Sequence, residues 1–98
     1  MQIVARRTLM AFCKRYPAAE VPLLLWHARV SKAAWTGPAD VKAAFGTAVD
    51  FVGDNRIIFD IGGNKFRLIV HVSHPCKRVL IKFVGTHKDD DAIDPETV

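Results

Sequence analysis

The sequence predicts an α+β fold: a short N-terminal strand, two to three helices, and a C-terminal antiparallel β-meander on which the helices pack. Three observations carry this. Apolar residues recur at helical spacing through the first half of the chain. From residue 49 onward they alternate instead, and glycine-containing turns divide that second half into short runs. A length of 98 residues, half of them hydrophobic, fits a single domain over residues 1–98 with one modest core.

Gln2-Ile3-Val4 reads as the first strand. Leu9, Phe12, Cys13 and Tyr16 then fall at i, i+3, i+4 and i+7, one stripe of an amphipathic helix. Arg6, Arg7, Lys14 and Arg15 lie largely off it. Tyr16-Pro17 ends this helix, because a residue before proline avoids helical backbone angles. A second helix is expected from Ala18 or Ala19 to Ala34, with Pro22 tolerated only in its first turn. Leu23, Trp26, Val30 and Ala33 make its inner stripe. Trp35-Thr36-Gly37-Pro38 breaks it, and Pro38–Phe45 reads as a short third helix closed by Gly46.

The second half reads as strands: Val49–Phe51, Arg56–Ile61, Lys65–Val72 and Val79–Val84, with Gly85 closing the last. Gly53-Asp54-Asn55 and Gly62-Gly63-Asn64 supply turns, since glycine and asparagine accept positive φ. Ser73–Lys77 is the remaining loop. Pairing Asp60 with Lys65, and Val72 with Val79, sorts the side chains onto two faces. One face carries Ile57, Phe59, Ile61, Phe66, Leu68, Val70, Val72, Val79, Ile81 and Phe83, all apolar. The other carries Arg56, Ile58, Asp60, Lys65, Arg67, Ile69, His71, Leu80, Lys82 and Val84. The helices cover the first face, which leaves the second, basic face open.

Charge is unevenly spread. Residues 1–87 hold thirteen Lys/Arg against five Asp/Glu, whereas 88–98 hold one Lys against five acids. A basic body with an acidic tail favours a polyanionic partner, and the tail is expected to compete for the basic face. A solvated sheet face with cross-strand Asp60–Lys pairs accounts for the same pattern equally well. The two cysteines, Cys13 and Cys76, form no CxxC pair and read as ordinary thiols of a reducing compartment. No cofactor and no metal site are expected, since His71, His74 and His87 follow no ligand spacing. The N-terminal residues lack the long apolar stretch of a leader, and no window is long enough to span a membrane. A cytoplasmic location without membrane contact is expected.

Ile58–Ile69, with its Gly-Gly-Asn-Lys-Phe-Arg-Leu centre, and Phe83-Val84-Gly85-Thr86-His87-Lys88 resemble the HigB-type toxins of the RelE/ParE superfamily. Trp26, Trp35–Asp40 and Ala92–Glu96 are similar to that family as well, so the resemblance covers nearly the whole chain. It implies a RelE-like fold and an mRNA interferase that enters the ribosome and cuts the exposed codon. It also implies a helix-turn-helix (HigA-like) antitoxin that silences the toxin, with DNA engaged only indirectly through that antitoxin. A gyrase inhibitor of the ParE type is an alternative on the same fold.

RNA cleavage through the 2′-hydroxyl needs a base, an acid and cations around the phosphorane. Arg67 is the candidate for stabilising that transition state, since a guanidinium can hold two phosphate oxygens at once. Lys65 and Lys82 are candidate phosphate clamps or charge stabilisers. His87 can titrate near neutral pH and serve as base or acid, or simply hold a turn. Arg56, Asn64, His71 and Lys88 are candidate RNA contacts, although His71 in mid-strand can equally pack and Asn64 can be a plain turn residue. One departure stands out. The family's Thr-His-x-x-Tyr-Asp becomes Thr86-His87-Lys88-Asp89-Asp90-Asp91 here, so Asp90 takes the tyrosine's place. Asp90 is either a substitute general base or the mark of weakened cleavage in an RNA- or antitoxin-binding protein.

Overall fold

A computed structural model describes residues 1–53, 55–63 and 65–86 of the chain. The elements run β1 (Gln2–Val4), α1 (Arg6–Arg15), α2 (Glu20–Lys32), α3 (Pro38–Phe45), β2 (Val49–Val52), β3 (Arg56–Ile61), β4 (Phe66–Ser73) and β5 (Arg78–Thr86). Single 3-10 turns at Pro17–Ala19 and Gly46–Ala48 precede α2 and β2. The architecture is α+β, with three helices on a five-stranded sheet of order β1-β5-β4-β3-β2. Strands β2 to β5 form the expected meander. The sheet is mixed, because β1 pairs parallel to β5 through Ile3 and Val79.

Local chemistry explains the helix ends. Lys14 and Arg15 stand in the last turn of α1, and Arg29 and Lys32 in that of α2, where cations complement the helix dipole. The Met1 amino group donates to the carbonyls of Val30, Ser31 and Ala33 at 3.1, 3.1 and 2.6 Å, which satisfies the open end of α2. Pro22 sits in the first turn of α2, as its missing N–H requires. The helix ends at Lys32, short of the expected Ala34. At the start of α3, the Asp40 carboxylate accepts from the Thr36 backbone N–H at 2.8 Å and from its hydroxyl at 2.9 Å. These bonds hold the Asp40 carboxyl below its ordinary range.

The core lies between the helices and one sheet face. Leu9 and Phe12 of α1, and Leu23, Trp26 and Val30 of α2, meet Phe59, Leu68, Val70 and Val79 of the strands. Phe59 is its hub, edge-on to Trp26 at 5.5 Å and to Phe45 at 4.9 Å between ring centres. At the other end Phe12 stacks on Tyr16 at 4.7 Å and meets Phe66 edge-on at 5.7 Å.

Two details of strand pairing depart from expectation. Asp60 pairs with Arg67 rather than with Lys65, because Ile61 pairs with Phe66 and the connection takes the residues between them. Gly62 and Gly63, at φ 64° and 71°, adopt the left-handed angles this turn requires. A slip of two residues preserves both faces, so Ile57, Phe59, Phe66 and Leu68 keep the predicted side. The second departure changes a face. The β4–β5 ladder runs Val72↔Val79 and Val70↔Ile81, then shifts to Ile69↔Phe83 and Leu68↔Val84. Lys82 is thus the extra residue of a β-bulge. Beyond it Val84 packs against the core, and Phe83 turns to the opposite face. Strand β5 then continues through Gly85 to Thr86.

Candidate functional site

The face of the sheet away from the helices is organised in rows set by the ladder. One row reads Val52, Arg56, His71, Leu80 and Val4 across β2, β3, β4, β5 and β1. The next reads Asp50, Ile58, Ile69 and Phe83, and the third Asp60, Arg67 and Gly85. A charged row therefore lies on each side of the apolar run Ile58–Ile69–Phe83, which ends on β2 at exposed Asp50. Neighbouring rows are two residues apart along the strand, about 6.6 Å.

The centre of the apolar row is dry. Ile69 is 0% exposed and Ile58 6%, although neither belongs to the helix-covered core cluster. This corrects the expectation of an open, solvated face. Phe83 joins this row through the bulge and extends it onto β5. Sequence reasoning placed Phe83 in the core. Val84 beside it is also apolar, so the alternating pattern held no sign of the exchange.

Arg67 is half-buried and faces Asp60, with Nε 3.4 Å from Oδ1. On β5 its ladder partner is Gly85, which presents no side chain beside the guanidinium. Arg56 stands beside His71 on the far side of the apolar row. The Nε atoms of Arg56 and Arg67 are both out of solvent reach, so each side chain is set into the face rather than waving above it. Lys82 is exposed at the bulge, next to Phe83. Lys65 is exposed in the β3–β4 turn and lies outside β4, not within it as expected. Asn64, His87, Lys88 and Asp90 lie outside the described residues. Among the described residues no group of three or more His, Cys, Asp or Glu side chains gathers as a metal site would require. None of the described helices is long and apolar enough to cross a membrane.

Such a face can do specific things. Fixed guanidinium groups on both sides of an apolar strip suit an anion-bearing chain with flat bases. The charges take phosphates, and half-buried Phe83 at the end of the strip takes a base. Arg67 is oriented by Asp60, and a planar guanidinium fork suits two phosphate oxygens.

Residues 19–93 match the family described as HigB toxin, the RelE-like toxic component of a toxin-antitoxin system. The chain belongs to this family. HigB relatives agree over nearly the full length. The mRNA interferase toxin HigB of Escherichia coli K12 is 26% identical over 92 residues, which cover 93% of this chain and 88% of that protein. The mRNA interferase HigB of Shigella flexneri shows the same figures. That of Escherichia coli O6:H1 is 22% identical over 94 residues, covering 95% and 91%. The HigB match includes the whole meander, and therefore Arg67, Asp60 and the bulge at Lys82.

Proposed function

We propose that this HigB-family chain is an endoribonuclease that inhibits translation by cutting mRNA on the ribosome, without a metal ion. The observation that carries the reading is Arg67, fixed by Asp60 beside an apolar row with a dry centre on a basic sheet face. The relatives named mRNA interferases supply the substrate class.

The reaction fits the face. The 2′-hydroxyl loses its proton to a base, and its oxygen attacks the adjacent phosphorus. The bond to the 5′-oxygen breaks and that oxygen takes up a proton, leaving a 2′,3′-cyclic phosphate and a 5′-hydroxyl. Arg67 binds the non-bridging oxygens as charge gathers on them. Lys82 and Lys65 contribute positive charge from the bulge and the turn, and Arg56 and His71 hold the flanking backbone. Phe83, half-buried at the β5 end of the row, receives a base. His87 serves as acid or base, and Lys88 and Asn64 add RNA contacts.

The test is cleavage of mRNA by the purified chain, stripped of metal with EDTA and then desalted, on translating ribosomes, mapped by primer extension. Intact transcripts under these conditions would overturn the reading. A supercoiling assay with gyrase separates the ParE-type alternative. A second reading, attenuated cleavage, is favoured by Asp90 in the family's tyrosine position. It expects Asp90→Tyr to raise cleavage by about tenfold or more. The proposed partner is a helix-turn-helix, HigA-like antitoxin, and the proposed location is the cytoplasm.

A further inference from the structure

Helix α2 is apolar on two sides. Leu23, Trp26 and Val30 face the core. Val21, Leu24, Leu25 and Ala28, again at i, i+3, i+4 and i+7, lie on the outward side and are exposed. Val21 is 66% exposed, Leu25 61% and Leu24 39%. One apolar stripe is what a surface helix needs to join its own domain; a second stripe has nothing among the described helices to meet.

This outward ridge is flanked by grooves. Between α1 and α2, Met10, Cys13, Pro17 and Leu24 line about 370 Å³, with Lys14 and Glu20 at the rim. On the other side Pro22, Leu25, Phe45 and Ile61 line about 360 Å³, with Arg29 and Asp60 at its edges. A ridge between two grooves is the relief into which a second helix packs. Charge narrows the choice of helix. The two helices carry Arg6, Arg7, Lys14, Arg15, Arg29 and Lys32 against Glu20 alone. That balance disfavours a second copy of the same surface and favours an acidic partner. Nucleic acid gains nothing from an exposed Val-Leu-Leu ridge.

We propose that the outward face of α2, with its two flanking grooves, is the docking surface of the antitoxin, which engages it with an acidic amphipathic helix. The proposal rests on the toxin reading above only in taking the antitoxin as partner. It centres inhibition on the α2 ridge, which meets the RNA-cleaving face only at Asp60 on the edge of the second groove, so Val21 and Leu25 can be substituted independently of Arg67.

The test measures affinity for the product of the adjacent antitoxin reading frame, by calorimetry on the full chain. Val21→Asp with Leu25→Asp should weaken binding about 100-fold, and the uncharged pair Val21→Ser with Leu25→Ser more than tenfold. Both residues are exposed, so circular dichroism, melting and mRNA cleavage should stay unchanged. Arg67→Ala should abolish cleavage and leave antitoxin affinity within threefold. Raising salt from 50 to 500 mM should weaken binding of the parent chain. A loss of tenfold or less in both double variants overturns the proposal. So does self-association of the parent, seen by sedimentation, that the Val21/Leu25 variants abolish. A parent chain that binds the antitoxin through this ridge but leaves mRNA intact would sink the nuclease reading alone.

Discussion

Arg67 and Asp60 stand opposite each other on β4 and β3, with the guanidinium Nε 3.4 Å from a carboxylate oxygen. Asp60 thus orients Arg67, whose ladder partners are Asp60 on β3 and Gly85 on β5. A carboxylate that orients a cation also tempers its charge, so the pair is tuned for direction rather than for maximal attraction.

Arg67→Ala should lower mRNA cleavage by about 100- to 1,000-fold, the usual loss for one donor to a developing oxyanion. Arg67→Lys should recover little, because an ammonium cannot reproduce the two-pronged grip. Asp60→Ala should cost about tenfold alone and nothing further on an Arg67→Ala background. Single-turnover rates on the four proteins measure this. Additive losses would show that Asp60 acts independently of Arg67.

The bulge at Lys82 predicts different fates for two phenylalanines. Phe59→Ala, at the hub of the core, should destabilise the fold by about 3–5 kcal/mol. Phe83→Ala should cost far less stability and weaken RNA binding by about 1–3 kcal/mol, the range for a stacked base. Urea unfolding and a binding titration on both variants check the contrast. Equal destabilisation would place Phe83 back in the core.

The Asp40 carboxyl is held below its ordinary range by its two bonds from Thr36. A group with a depressed folded-state pKa stabilises fully above its unfolded value, near pH 4, and loses that contribution as pH falls through the folded value. Asp40→Asn should therefore melt earlier than the parent at pH 7, and the gap should close below about pH 4. Melting curves across that range test it; a gap that widens in acid would contradict the assignment.

The two thiols should react at very different rates. Cys76 is exposed in the β4–β5 loop, whereas Cys13 is buried under α1. Burial, and then the nearby Glu20 carboxylate, push the Cys13 thiol up and keep it protonated. A chromogenic disulfide should label one thiol at once and the second only on unfolding, at least about 100-fold more slowly. Two equally fast thiols would show that α1 opens readily.

Much of the site could be read from residue order because alternation in a strand is a local property. Arg67, Arg56 and His71 share a face whichever of two even registers β3 and β4 adopt, so the error over Lys65 did not disturb them. Lys65 itself fell outside β4 because the Gly62-Gly63 turn ends one residue later than assumed. Phe83 could not be placed this way. It and Val84 are both large and apolar, so a one-residue bulge exchanges them without breaking any pattern.

By itself the sequence determined the α+β class, the helix and strand boundaries to within a few residues, the basic character of one sheet face, and the likeness to HigB toxins. The first three follow from nearest-neighbour spacing and composition, and the likeness rests on the Ile58–Ile69 and Phe83–Lys88 segments. Only the tertiary structure decided the parallel pairing of β1 with β5, the Asp60–Arg67 partnership, the bulge that turns Phe83 toward Arg67's face, and the outward apolar ridge on α2. Each of these depends on which surfaces meet. That is settled by packing between distant segments, where two apolar stripes on one helix look alike until one of them has been covered.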